Sequence, residues 1–213
     1  MKLNKVMALA LSGLMAVSML AGCSNGTPNG EENNEGQDQV TVNAAAEVLN
    51  KMQDVVDFKS DAKTDGYLNV TLKPEIVESL EDNTSTLTVA QKDWDFYKAV
   101  QNKMVYEDQQ NLNTAFDFNT ISASKKDDIK KTEIVLYAIN DDDVLSIEHL
   151  MTMLESQLGV DNFKTEAKVG NLTYKVNYNG SVSAKKVTAS DDDGTYSVYV
   201  VAVSITRTAG DVK

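Results

Sequence analysis

The segment over residues 195–207 limits the possible folds of this chain more than any other. Apolar side chains occupy both its even and its odd positions: Tyr196, Val198, Val200 and Ala202, alternating with Tyr199, Val201, Val203 and Ile205. Successive side chains of a β-strand point to opposite faces, so a strand here is apolar on both sides. The sequence therefore predicts that this strand lies in the interior of a sheet.

The residues before this strand also follow a period of two. Leu172, Tyr174, Val176 and Tyr178 alternate with polar residues. Asn179-Gly180 follows them and is a dipeptide typical of a tight hairpin turn. We expect another strand over 181–189 and a turn over 191–194, which together make a C-terminal β-meander.

Further elements are predicted along residues 41–159. Strands are expected over 67–72, within 112–122 and, in a central position, over 133–139. Helices are expected over 41–57, from 89 to about 105 after a capping box of Thr88 and Gln91, and after the N-cap Ser146, ending at Gly159; a short helix is expected over 75–81. The predicted fold is α+β, an antiparallel sheet with a C-terminal β-meander and about three helices packed on one face.

The N-terminus carries the pattern of an export sequence. Lys2 and Lys5 precede a stretch of 16 uncharged residues over 6–21. This is the order of a secretory leader, and the stretch is shorter than the roughly 20 apolar residues that span a bilayer.

The end of this stretch resembles a known signal. Leu20-Ala21-Gly22-Cys23 resembles the lipobox of bacterial lipoproteins, in which a peptidase cuts before the cysteine and the cysteine thiol carries diacylglycerol. The resemblance implies peptidase recognition at Leu20, Ala21 and Gly22 and lipidation of Cys23. Cys23 is the single cysteine of the chain, so it cannot form an internal disulfide, which independently favours modification.

These patterns predict three parts. They are a cleaved signal peptide over 1–22, a lipidated Cys23 with a flexible acidic tether to residue 39, and one extracytoplasmic domain over 40–213. Without Lys2 and Lys5 the mature chain has 18 basic and 32 acidic side chains, a net charge of −14. Anionic lipid surfaces repel such a chain, so the lipid must hold it at the membrane. We expect it on the extracytoplasmic face, at the outer membrane if the host has two membranes.

Composition argues against several classes of function. With 20 basic against 32 acidic side chains, the chain is too acidic to bind nucleic acid phosphates unaided. The sequence has no G-x-S-x-G, H-E-x-x-H or phosphate-loop motif, and its one histidine, His149, lies off the apolar stripe of its predicted helix, where we expect it to be exposed. We predict a protein that is not an enzyme and needs no cofactor.

Two acidic triplets are weak candidates for a Ca²⁺ site. They are Asp141, Asp142 and Asp143, and Asp191, Asp192 and Asp193. Carboxylates are the ligands that Ca²⁺ prefers, but neither triplet fits the EF-hand spacing. Acidic turns also cap helices and end hairpins, and we favour this interpretation over metal binding.

The sequence thus predicts a lipid-anchored, non-enzymatic domain that binds or scaffolds an unknown protein or apolar ligand at the cell envelope. One alternative is a carrier of lipid or another apolar molecule. The other is an envelope hydrolase that uses a pair of carboxylates. The expected partners are the membrane, through the lipid on Cys23, and this ligand, with no nucleic acid.

Overall fold

The computed structural model describes residues 35–59, 61–74, 86–140, 143–190 and 195–213. Four α-helices and seven strands form this part of the chain. The helices are α1 (Glu35–Met52), α2 (Ala62–Thr71), α3 (Asp95–Asp108) and α4 (Ile147–Leu158). The strands are β1 (Val56–Lys59), β2 (Thr88–Val89), β3 (Leu112–Asn113), β4 (Lys131–Asn140), β5 (Glu166–Val169), β6 (Leu172–Ser190) and β7 (Thr195–Val212). Short 3-10 helices cover Lys126–Ile129 and Val160–Asn162.

The seven strands make one sheet in the order β1-β6-β7-β4-β2, with β3 also beside β4 and β5 beside β6. β6 and β7 form the predicted C-terminal meander with β5, and β7 lies between β6 and β4 in the sheet interior. The α+β class is confirmed. The sheet is mixed rather than purely antiparallel, because β1 runs parallel to β6 and β3 parallel to β4.

Helices cover both faces of the sheet, not one face as expected. On the first face, α1 and α4 pack against a core that includes Val135, Tyr137 and Val203. On the second face, α2 and α3 pack against a core that includes Leu136 and Val200. Because β4 and β7 carry apolar side chains on both faces of the sheet, a single helical layer would leave one apolar face in water.

The connection from α1 to β1 is made by side-chain amides. Gln53 Oε1 accepts from the backbone N–H groups of Val55 and Val56, at 2.9 and 2.8 Å, which turns the chain after Met52. Asn50 both donates to the carbonyl of Phe58 and accepts from its N–H, each at 2.8 Å. The helix expected over 41–57 therefore stops at Met52, five residues early.

The same helix also begins earlier than expected. α1 starts at Glu35, so residues 35–39, which we assigned to the flexible tether, are helical. The rest of the predicted tether lies outside the described residues.

The strand expected over 67–72 is wrong, because these residues lie in α2 and at its C-terminal end. Asp61 caps the helix by accepting from the Lys63 N–H at 3.0 Å and the Thr64 hydroxyl at 2.7 Å. Thr64, Tyr67 and Leu68 are buried together, at the i, i+3, i+4 spacing of one helical face. The cap and this spacing outweigh the alternation that predicted a strand.

Two predictions about the helices further along had different outcomes. The Ser146 cap, which accepts from the His149 N–H at 3.1 Å, and the left-handed Gly159 at the end of α4 are confirmed. The helix expected from residue 89 instead begins at Asp95, because Thr88 and Val89 pair with β4.

The strand expected within 112–122 is only Leu112–Asn113. The short helix expected over 75–81 lies outside the described residues.

Asn179-Gly180 is not a turn; it lies in the middle of β6. Gly180 pairs with Phe58 of β1, and a Cβ atom on Gly180 would lie 2.5 Å from Phe58 Cε1. The glycine is required because the Phe58 ring occupies the space of its missing side chain. The turn before β6 is made by Gly170, at a φ of 58°, and Asn171.

This close contact predicts that Gly180→Ala lowers the free energy of unfolding by about 1–3 kcal/mol, because the Phe58 ring must shift within a packed core. Gly66→Ala is the matched control, since nothing lies within 4 Å of its Cβ position inside α2. We expect Gly66→Ala to stabilise the protein by about 0.5–1 kcal/mol. Urea denaturation measures both, and equal effects would contradict the Phe58 contact.

Candidate functional site

A half-open cleft of about 380 Å³ lies on the first face, where the loop after β3 meets the end of α4. Seven of its thirteen lining residues are apolar or aromatic, but several of these are buried, so polar groups form the larger part of the accessible wall. The lining residues are Val89, Thr114, Ala115, Phe116, Phe118, Asn119, Tyr137, Gln157, Leu158, Gly159, Asn162, Phe163 and Lys164. This volume is within the usual range for small-molecule sites.

The loop wall of the cleft is held by charged side chains at the start of β4. Glu133, which is only 4% exposed, accepts from the Asp117 N–H at 2.6 Å. Lys131 donates to the Asp117 carbonyl at 2.9 Å and pairs with Glu133 at 2.8 Å. Both backbone groups of Asp117 are thus fixed, although its side chain is exposed.

Arg207 of β7 holds the same loop from behind. Its Nε donates to the Ile129 carbonyl at 2.8 Å and one terminal nitrogen donates to the Thr120 carbonyl at 2.9 Å. Arg207 is 4% exposed, so these hydrogen bonds form away from water. The planar, forked guanidinium suits this double contact to backbone carbonyls.

An aromatic cluster forms the floor of the cleft. Phe118 is fully buried and lies edge-on to Phe163 and to Tyr178, with ring centroids 5.0 and 5.4 Å away. Phe116 stacks on Phe118 at 6.0 Å, with 16° between the ring planes, and is half-buried. Phe116 therefore carries the aromatic surface of the cluster out to the opening.

The opposite wall is the end of α4 and the turn after it. Gly159, at a φ of 63°, ends the helix and leads to Phe163 and Lys164. The Lys164 N–H donates to the Phe118 carbonyl at 3.1 Å, and the Lys164 carbonyl accepts from the Tyr178 hydroxyl at 2.9 Å. These two bonds join the walls and leave the lysine side chain exposed.

Two tyrosines beside the cleft have shifted pKa values. Burial raises the pKa of Tyr137, which lines the cleft and is 1% exposed. Burial also raises the pKa of Tyr178, and the positive charge of Arg207 opposes that shift. Both phenols are therefore neutral hydrogen-bonding groups at neutral pH.

The sequence-predicted site residues that the structure describes do not line this cleft. Leu20, Ala21, Gly22 and Cys23 lie outside the described residues, as do Asp141, Asp142, Asp191, Asp192 and Asp193. Asp143 alone of the six acidic candidates is described, and the described ranges contain no group of three or more potential metal ligands. His149 is half-buried rather than exposed, and its Nδ1 accepts from the Leu145 N–H at 3.3 Å.

Comparison with known proteins adds no assignment: no family model, curated protein or solved structure matches the chain. Within the part of the chain that the structure describes, no helix has both the length and the apolar character to cross a bilayer.

Sequence reasoning missed the cleft because its walls come from distant segments. Phe116 and Phe118 stood within a predicted strand. The separation of Arg207 from Thr120, 87 residues, leaves no local pattern to detect. One signal in the sequence could have indicated the cleft. Arg207 is the single charged residue of the predicted strand over 195–207, whose other residues are apolar or carry hydroxyl groups.

Removing this arginine should loosen the cleft. We expect Arg207→Met to lower the free energy of unfolding by about 2–4 kcal/mol, because the Ile129 and Thr120 carbonyls lose their donors. Lys103→Met, which removes a partly exposed pair with Glu107 on α3, should cost less than about 0.5 kcal/mol. Urea denaturation compares the two, and a similarly small loss in Arg207→Met would contradict the role of this side chain.

Proposed function

We propose that the chain is a lipid-anchored, extracytoplasmic, non-enzymatic domain that binds a small ligand in the cleft between the 114–119 loop and the end of α4. The single observation that carries binding is this half-open cleft of about 380 Å³, whose lining combines polar groups with the half-buried Phe116 ring. Concave sites of this volume are usual for small ligands. The hydrogen bonds to Asp117, Thr120 and Lys164 support a cleft that is formed before the ligand arrives.

The N-terminal pattern supports the anchoring half of the proposal. A positive start, an uncharged stretch and Leu20-Ala21-Gly22-Cys23 occur in the order that lipoprotein maturation requires. Two or more acyl chains hold a protein stably at a membrane, where a single chain binds only marginally. The proposed place is the extracytoplasmic side of the cell membrane.

The cleft also bears on the alternatives. A carrier of apolar molecules is the second candidate, and the aromatic floor favours it. The cleft is open on one side, however, and its size suits a small ligand better than a two-chain lipid. A hydrolase with paired carboxylates needs two acids in a concave site, and the residues that line this cleft include no Asp or Glu.

Anchoring is tested by Cys23→Ala in the full chain, expressed in a bacterial host. We expect the protein to lose incorporation of labelled fatty acid and to leave the membrane fraction, because no thiol remains to carry the lipid. A change of Ser24 to Ala beside it should alter neither result. Continued lipid labelling of Cys23→Ala would contradict the proposal.

Binding is tested by native mass spectrometry on the soluble chain from Ser24 onward, purified from cells. We expect a fraction of the protein to carry added mass in the range of a small molecule. Phe116→Ala should reduce that fraction, because Phe116 is the half-buried aromatic side chain at the opening. Bound mass that is unchanged in Phe116→Ala would place the ligand elsewhere and contradict the cleft as the site.

A further inference from the structure

We propose that the ligand of this cleft is a small anion with an aromatic or apolar body. The inference rests on the proposed function, since it takes the cleft as the binding site. It follows from the distribution of charge around the cleft, from the side chain at its rim and from the cations behind its floor.

Charge is unevenly distributed in this protein. The end of the sheet that holds the cleft comprises residues 114–133, 158–177 and 204–213, and we name it the basic end. Lys131 of β4 pairs with Arg207 of β7, and Glu166 of β5 pairs with Lys175 of β6. The Lys164 N–H donates to the Phe118 carbonyl, so the three ranges lie together. The basic end has nine basic and seven acidic side chains, whereas the remainder of the chain has 11 basic and 25 acidic ones. A net charge of +2 thus stands against −14 elsewhere.

The cleft itself contains a cation and no anion. None of the 13 lining residues is acidic, although 32 of the 213 residues of the chain are. Lys164 lies at the rim with an exposed side chain and has no carboxylate within 4 Å among the described residues. Hydrogen bonds hold its backbone N–H and carbonyl, so the lysine side chain extends from a fixed point at the rim.

Two further cations lie close to the Phe118 ring. Lys131 Nζ is 5.8 Å and Arg207 Cζ is 5.7 Å from the ring centroid. Lys131 is paired with Glu133 and Asp117, whereas Arg207, which donates to the Ile129 and Thr120 carbonyls, has no carboxylate within 4 Å among the described residues. The guanidinium charge, 5.7 Å from the Phe118 ring centroid, therefore adds to the positive potential on this side of the cleft.

Exposed charges are screened over about 8 Å at physiological ionic strength, so the potential in the cleft depends on the charged groups that lie nearest to it. The end of α4 adds partial negative charge at Leu158 and Gly159. The anionic group of the ligand then lies at Lys164, beyond Leu158 and Gly159 and away from the exposed Asp117 carboxylate of the opposite wall, with its apolar body against Phe116.

A pair of fluorescent probes that differ in one charged group tests this inference. The probes are 8-anilinonaphthalene-1-sulfonate, an anion, and N-phenyl-1-naphthylamine, the same aromatic body without the sulfonate. We expect the soluble chain from Ser24 onward, which contains every described element, to bind the sulfonate at one site and at least about threefold more tightly than the neutral probe.

Matched variants locate the site. Lys164→Met should weaken the sulfonate about three- to fivefold and leave the neutral probe unchanged, whereas Lys168→Met, an exposed lysine of β5 at the same basic end, should affect neither. Phe116→Ala should weaken both probes about tenfold, and Tyr106→Ala, which removes an aromatic side chain that is 87% exposed on α3, should weaken neither.

The outcomes separate the two proposals. Equal or tighter binding of the neutral probe, still sensitive to Phe116→Ala, would overturn the anionic ligand and leave the cleft as an apolar site. An equal effect of Lys164→Met and Lys168→Met would also overturn it, because the preference would then come from the whole basic end. Binding of neither probe, or binding insensitive to Phe116→Ala, would overturn both the inference and the cleft as the binding site.

Discussion

The pairing of β6 with β7 is the interaction on which the rest of the structure depends. The two strands have 19 and 18 residues, and at about 3.3 Å per residue each is roughly 60 Å long. The helices are much shorter: α4, with 12 residues, covers about 18 Å. Helices therefore cover only part of the hairpin, and other segments must cover the remainder.

The side chains of β7 change where the helical cover changes. Val198, Val200 and Ala202 face α2 and α3 on the second face, and Ser204, Thr206 and Thr208 continue the same row where the strand is partly exposed. On the first face the row ends in Arg207, which binds the 114–130 loop through backbone carbonyls. The cleft lies where this loop, rather than a helix, covers the sheet. The proposed site therefore exists because β6 and β7 are longer than the helices that pack against them.

The sequence predicted the elements whose determinants are local. β4 and β7 were recognised because alternation on both faces is visible along one strand, and α4 because Ser146 and Gly159 mark its ends. Residues 67–72 were misjudged although the Asp61 cap is local, because their alternation also fits a strand. Asn179-Gly180 was misjudged because it depends on a distant partner: Phe58, 122 residues earlier, requires the glycine. The cleft was missed for the same reason, since Phe116, Lys164 and Arg207 meet only in the folded chain.

Residue-resolved hydrogen exchange tests most directly the central claim that the cleft is formed before any ligand binds. The two amides to follow are those of Asp117, bonded to Glu133, and Lys164, bonded to the Phe118 carbonyl. The account predicts exchange at least about a hundredfold slower than in an unstructured peptide. Exchange of both amides at the unstructured rate would show that the loop is not held against the sheet and would contradict a preformed cleft.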